Sequence, residues 1–81
     1  MSDAEIAARL IDALEAAAER EAASKTALVS VTVDMVARAA AGAIETTLVR
    51  KTRTLVFMSA ELVGEGDARI ATASSVHKVL G

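Results

Sequence analysis

Arg50-Lys51-Thr52-Arg53-Thr54-Leu55-Val56-Phe57-Met58-Ser59-Ala60-Glu61-Leu62 decides how the rest of this chain is read. Arg50, Lys51 and Arg53 crowd a short turn, and from Thr54 to Leu62 successive side chains take opposite sides of a strand. A period of two marks a strand with one buried face. A basic turn in front of such a strand can hold phosphate groups through charge and hydrogen bonds, while the strand fixes its position.

On the C-terminal side, Gly64-Glu65-Gly66-Asp67 is the strongest turn in the chain, and residues 69–80 read as a further strand. On the N-terminal side, Ile44 to Arg50 reads as a strand whose alternation is blurred at Thr46-Thr47. Before it, Ala39-Ala40-Ala41-Gly42 breaks the pattern, with Gly42 the turn residue. From Thr26 the period is again two. Val29, Val31, Val33 and Met35 point one way, and Ser30, Thr32 and Asp34 the other. Hairpin-type links between four consecutive strands predict an antiparallel meander.

Residues 2–24 read differently. Ser2 and Glu5 form a capping box, with Asp3 and Glu5 at the positive end of the helix dipole. Ile6, Leu10, Leu14 and Ala17 recur at helical spacing, and Ile11 and Ala18 widen the stripe. Glu15, Glu19, Arg20 and Glu21 face water. One amphipathic helix beside four strands predicts an α+β domain with the helix laid on the sheet.

The chain has 81 residues and is expected to form a single domain, 1–81. So short a chain buries only about 60% of its unfolded surface. It is 53% hydrophobic, but much of that is alanine, and Phe57 is its one aromatic residue. A core this thin predicts a homo-oligomer, a dimer or tetramer. The lack of cysteine excludes disulfides and thiolate chemistry, and a single histidine argues against a structural metal site. A net charge of −2 gives no reason to expect nucleic acid, and no aromatic residue interleaves the basic turn. No apolar run has the length of a membrane span, no signal peptide is visible, and a cytoplasmic location is expected.

The stretch 50–62 resembles the hairpin of hotdog-fold acyl-CoA thioesterases of the phenylacetyl-CoA type. There a basic-x-Gly-basic-Thr-Leu turn leads into an alternating strand closed by an acidic residue and Leu. Leu10-Ile11-Asp12 is similar to that family's apolar-apolar-Asp triplet on the central helix. Val31-Thr32-Val33-Asp34-Met35, closing at Gly42, resembles its second strand, and Val76 to Gly81 resembles its ending. The resemblance implies a hotdog-like domain, a curved antiparallel sheet around one helix, here without its first strand. It also implies protomers that pair to extend the sheet, with an acyl-CoA thioester as substrate or ligand and no other cofactor.

By the same resemblance, Asp12 is the general base or nucleophile acting across a protomer interface. Arg50, Lys51, Thr52, Arg53, Thr54 and Leu55 contact the coenzyme A phosphates. The plain alternatives are a solvated helix carboxylate, paired with Arg9 or Arg20, and a solvated hairpin with edge-protecting charges. The chain departs from the family where His-Gly-Gly would begin the helix. It has Asp3-Ala4-Glu5 there, and acidic side chains oppose a developing oxyanion. Thr52 replaces the turn glycine, and alanine replaces a proline before Gly42. The expected function is therefore hydrolysis or binding of acyl-CoA thioesters at a protomer interface. The alternative is a catalytically inactive, oligomeric binding or assembly module. His77, with no triad partner in sight, reads as a surface or strand-pairing residue, and Met35 and Met58 as core or interface filler.

Overall fold

The computed structural model describes residues 2–38 and 42–81, so the alanines 39–41 lie outside the described residues. The elements run α1 (Asp3–Ala22), β1 (Thr26–Met35), β2 (Ala43–Lys51), β3 (Leu55–Val63), a single 3-10 turn (Glu65–Asp67) and β4 (Arg69–Val79). This is one helix on a four-stranded antiparallel sheet, an α+β arrangement of the hotdog-like helix-on-sheet kind.

α1 begins as its sequence dictates. The Ser2 hydroxyl accepts from the Glu5 amide, and the Ser2 amide donates to the Glu5 carboxylate. Both bonds satisfy amides that a helix start leaves without partners. The Ser2 hydrogen bonds, first from the backbone and then from the side chain, hold the Glu5 carboxyl below its ordinary range. The helix ends at Ala23, which takes the left-handed conformation and bonds back to the Arg20 carbonyl.

The strand order is β1-β4-β3-β2, with every neighbouring pair antiparallel. This corrects the expected meander. β2, β3 and β4 follow one another as hairpins, but β1 lies at the far edge beside β4. The cause is visible where β1 ends. The Val36 and Ala37 amides both donate to the Ile70 carbonyl, which carries the chain on along β4 instead of folding it back. The segment then passes the start of α1, where Arg38 meets Asp3 at 3.6 Å. Gly42 leads into β2 on the other edge, where a Cβ would strike the Val63 carbonyl and lie 2.9 Å from the Gly64 Cα. Only glycine permits that approach. Gly66 serves the other tight turn with φ +66°.

The core lies between α1 and one face of the sheet. Ile6, Leu10, Leu14, Ala17 and Ala18 of the helix meet Val56, Met58, Ala60 and Leu62 of β3, and Ile70, Ala71 and Ala73 of β4. Val31 and Val33 of β1 and Ile44 of β2 pack at its margin. Leu10, Leu14 and Leu62 are wholly enclosed, each contributing about 1.5–3 kcal/mol by leaving water. Alanine at Ala17, Ala18, Ala60, Ala71 and Ala73 keeps the layer thin.

The register shifts at three places, between Leu28 and Ser30 on β1, between Leu48 and Arg50 on β2, and where Leu62 and Val63 of β3 meet Ala71 and Arg69 of β4. The β1 bulge leaves Val29 59% exposed, against its expected place among the inward valines. No helix is long and apolar enough to cross a membrane among the described residues.

Candidate functional site

The basic turn forms where the sequence puts it, but its groups are not equally available. Arg50 and Lys51 end β2, Thr52, Arg53 and Thr54 make the turn, and Leu55 opens β3. The Thr52 hydroxyl accepts from the Leu55 amide at 3.0 Å and from the Thr54 amide at 3.4 Å, and the Thr52 amide donates to the Leu55 carbonyl at 2.8 Å. The Thr52 hydroxyl thus engages the turn amides within the turn itself. The Lys51 ammonium donates to the Glu21 carbonyl at the end of α1, 2.6 Å away. Arg50 and Arg53 remain exposed, with no ion pair among the described residues.

Two further cations join them through backbone pairing. Lys78 stands opposite Leu55, the Val79 amide donates to the Thr54 carbonyl, and the Leu80 amide donates to the Lys25 carbonyl. Lys25, Arg50, Arg53 and Lys78 therefore share one end of the sheet. The strand ends and turn that carry them, 25–28, 49–55 and 76–81, contain no carboxylate. The nearest acidic contact comes from α1, where Glu19 accepts from the Thr26 amide. Sequence reading missed Lys25, because nothing local announces that β1 lies beside β4 at this end of the sheet.

Asp12 is elsewhere. It is exposed, two residues beyond the fully enclosed Leu10 and so about 200° around the helix from it. The helix does not bring Asp12 together with the basic turn or with any cavity. At the helix start, where the resemblance implies an amide for the thioester carbonyl, Ser2 and Glu5 engage each other and Asp3 faces Arg38.

A cleft of about 200 Å³ opens beside that helix start. Ile6, Met35, Val36 and Ile70 give it an apolar floor, and Asp3 and Arg38 stand at its rim. Its size and lining suit a short apolar group with an anionic or polar end.

His77 is not a surface residue. It is fully enclosed beneath α1, between Leu28 of β1 and Val56 of β3 in the register. Its Nε2 shares a 2.7 Å hydrogen bond with Ser75 Oγ, and its Nδ1 has no partner among the described residues. Burial lowers its pKa below the ordinary 6.5, with Glu15 of α1 opposing that shift. The signal was present in the sequence: Ala71, Ala73, Ser75, His77 and Val79 share one phase of β4, and three of them are apolar. Access from solvent is closed, so the Ser75–His77 pair is a core hydrogen bond and not an open nucleophile.

No cluster of three or more metal-binding side chains occurs among the described residues. Compared with protein-family models, with curated proteins and with solved structures, the chain matches none.

Proposed function

We propose that this protein is an oligomeric module that binds acyl-CoA-type ligands: an apolar acyl group joined to a phosphate-bearing head. The observation that carries this reading is the cationic end of the sheet, Lys25, Arg50, Arg53 and Lys78, on strand ends and a turn with no acidic side chain of their own. Such a cluster suits a compact polyanion, and Thr54 supplies a hydroxyl beside it.

The apolar cleft lies at the other end of the helix. Twenty residues of helix span about 30 Å, so within one protomer the cations and the cleft are too far apart for one ligand end to end. Antiparallel association of two copies along β1 brings the cations of one beside the cleft of the other. β1 is the less protected edge. Residues 26–33 carry no charge, and Leu28, Val29, Met35 and Val36 are exposed along and beyond it. β2 carries Glu45, Arg50 and Lys51, charges that discourage edge pairing.

Binding is favoured over hydrolysis. Asp12 is exposed on the side of α1 opposite the buried face, away from any apolar wall, and the carboxylates of Asp3 and Glu5 at the helix start oppose an oxyanion. The experiment is calorimetry with coenzyme A and short acyl-CoA thioesters, wild type against Arg50→Glu/Arg53→Glu, with thiol release followed in parallel. Heat that disappears in the double variant, without thiol release, is the expected result. Unchanged heat would remove the phosphate reading, and thiol release abolished by Asp12→Asn would restore a thioesterase.

A further inference from the structure

The cleft beside the helix start exists because β1 does not turn back at its end. Met35 pairs with Ala71, and beyond it the Val36 and Ala37 amides both donate to the Ile70 carbonyl, at 2.9 and 3.1 Å. The chain thus stays fixed beside β4 past the end of the ladder and runs by the first turn of α1. That turn, Asp3-Ala4-Glu5, has no large apolar side chain to fill the gap, and Ile6 is the first inward residue of the helix. A space of about 200 Å³ remains, with Ile6 and Ile70 buried at its base and Met35 and Val36 left exposed along it.

Two opposite charges stand at its rim. The Arg38 guanidinium lies 3.6 Å from the Asp3 carboxylate, and both side chains are largely exposed. Charges next in sequence to the lining residues are directed elsewhere. The Ser2 amide donates to Glu5, Arg69 meets Glu61, and Asp34 alternates with Met35 and so stands on the other face of β1. The positive end of the α1 dipole adds to the cationic side of the rim.

This combination is selective. A compact anion would meet the Asp3 carboxylate, and a lone amine would meet the Arg38 guanidinium. A metal ion finds too few ligands, since no cluster of three occurs among the described residues. A plain hydrocarbon leaves both charges unused. A molecule with an ammonium, a carboxylate and an aliphatic chain on one carbon matches every element. Its carboxylate meets Arg38, its ammonium meets Asp3, and its chain lies on Ile6, Met35, Val36 and Ile70. The space is smaller than the about 300–1,000 Å³ of sites for drug-sized molecules, so the ligand is a small one. An ion pair as exposed as that of Asp3 and Arg38 contributes little by itself, and its members exchange each other for the ligand at small cost.

We infer that the cleft binds a free aliphatic α-amino acid of about the size of leucine. The assignment does not rest on the coenzyme A reading, because such a ligand has no phosphate and needs no partner chain. It does bear on that reading: an amino acid and an acyl end use the same apolar floor and compete for it.

The test is an NMR titration of the isotope-labelled protein with leucine, with folding of each variant checked by circular dichroism. Three controls each lack one element: 4-methylpentanoate the ammonium, 3-methylbutylamine the carboxylate, and glycine the aliphatic chain. Leucine is expected to give saturable amide shifts at Ile6, Val36, Arg38 and Ile70, with each control weaker by about ten-fold or more. Arg38→Gln and Asp3→Asn should each weaken leucine by about ten-fold, and Asp3→Asn should leave 4-methylpentanoate no weaker than before. The absence of saturable shifts, shifts centred away from the cleft, or leucine binding unchanged in both variants would overturn the inference. So would 4-methylpentanoate binding as well as leucine, an outcome that leaves the acyl reading of the cleft in place.

Discussion

Lys51 donates a 2.6 Å hydrogen bond to the carbonyl of Glu21, so the turn that opens β3 also closes the negative end of α1. A cation at a helix C-terminus satisfies an orphan carbonyl and complements the helix dipole. Within the basic turn this separates Lys51, a structural cation, from Arg50 and Arg53, which face outward.

Lys51→Met is therefore expected to lower stability by about 0.3–1 kcal/mol, a fall of roughly 1–8 °C in Tm for a domain of this size. Thermal denaturation measures it. Calorimetry with coenzyme A should then show Lys51→Met binding far better than Arg53→Glu. Equal losses in the two variants would mean that Lys51 contacts the ligand.

His77 makes stability depend on pH in a defined direction. Its pKa in the folded protein lies below 6.5, so the unfolded chain binds the proton more readily. The contribution is present in full above pH 6.5, and it is lost as pH falls from there through the folded value. Urea midpoints taken at falling pH should decline across this window in wild type and stay flatter in His77→Leu. Glu5 acts lower: its pKa is depressed from 4.5, so its contribution holds above that value and fades only in stronger acid. A decline that persists unchanged in His77→Leu would assign it to other groups.

Gly42→Ala should destabilise by about 1–3 kcal/mol, the usual cost of forcing atoms into a filled space, because its Cβ meets the Val63 carbonyl. Gly66→Ala meets no neighbouring atom, and its cost is the backbone strain of φ +66° alone. Denaturant unfolding of both variants separates collision from backbone strain. A Gly42→Ala protein as stable as wild type would show that the start of β2 can move aside.

Leu14→Ala empties a fully enclosed site and is expected to cost about 2–5 kcal/mol, whereas Asp12→Asn, two residues away and exposed, should fall within about 0.5 kcal/mol of wild type. Chemical denaturation compares the two directly. A large loss in Asp12→Asn would reveal a partner for that carboxylate, such as a protomer interface lying over it.

Much of this arrangement was legible in the sequence, for local reasons. The capping box at Ser2 and Glu5 and the stripe Ile6, Leu10, Leu14 and Ala17 depend only on helical spacing, and both form as read. The strand from Leu55 to Val63 keeps its alternation of burial from end to end, with a neighbouring strand on each side. What could not be read was non-local. Thr26–Met35 is a well-marked strand, but nothing in it says that its neighbour is β4, and so the meander was wrong. The same gap hid Lys25 from the basic turn. Of the two readings of His77, surface or strand-pairing, the surface one fails: its phase among Ala71, Ala73 and Val79 places it inside, paired between Leu28 and Val56.

The strand order also sets the sequence of assembly. The β2–β3 hairpin can form from residues close together in the chain, but β1 must wait for β4, since Thr26 pairs with Val79 and Met35 with Ala71. Contacts of such wide sequence separation are slow to form. Until they do, Leu28, Val29, Val31 and Val33 have only α1 for shelter, and during synthesis they emerge well before their partner strand. The interval between β1 and β4 is thus the aggregation-prone stage in the life of this chain, and a stall before Ala71 would leave β1, with Asp34 as its one charge, without the neighbour that completes it.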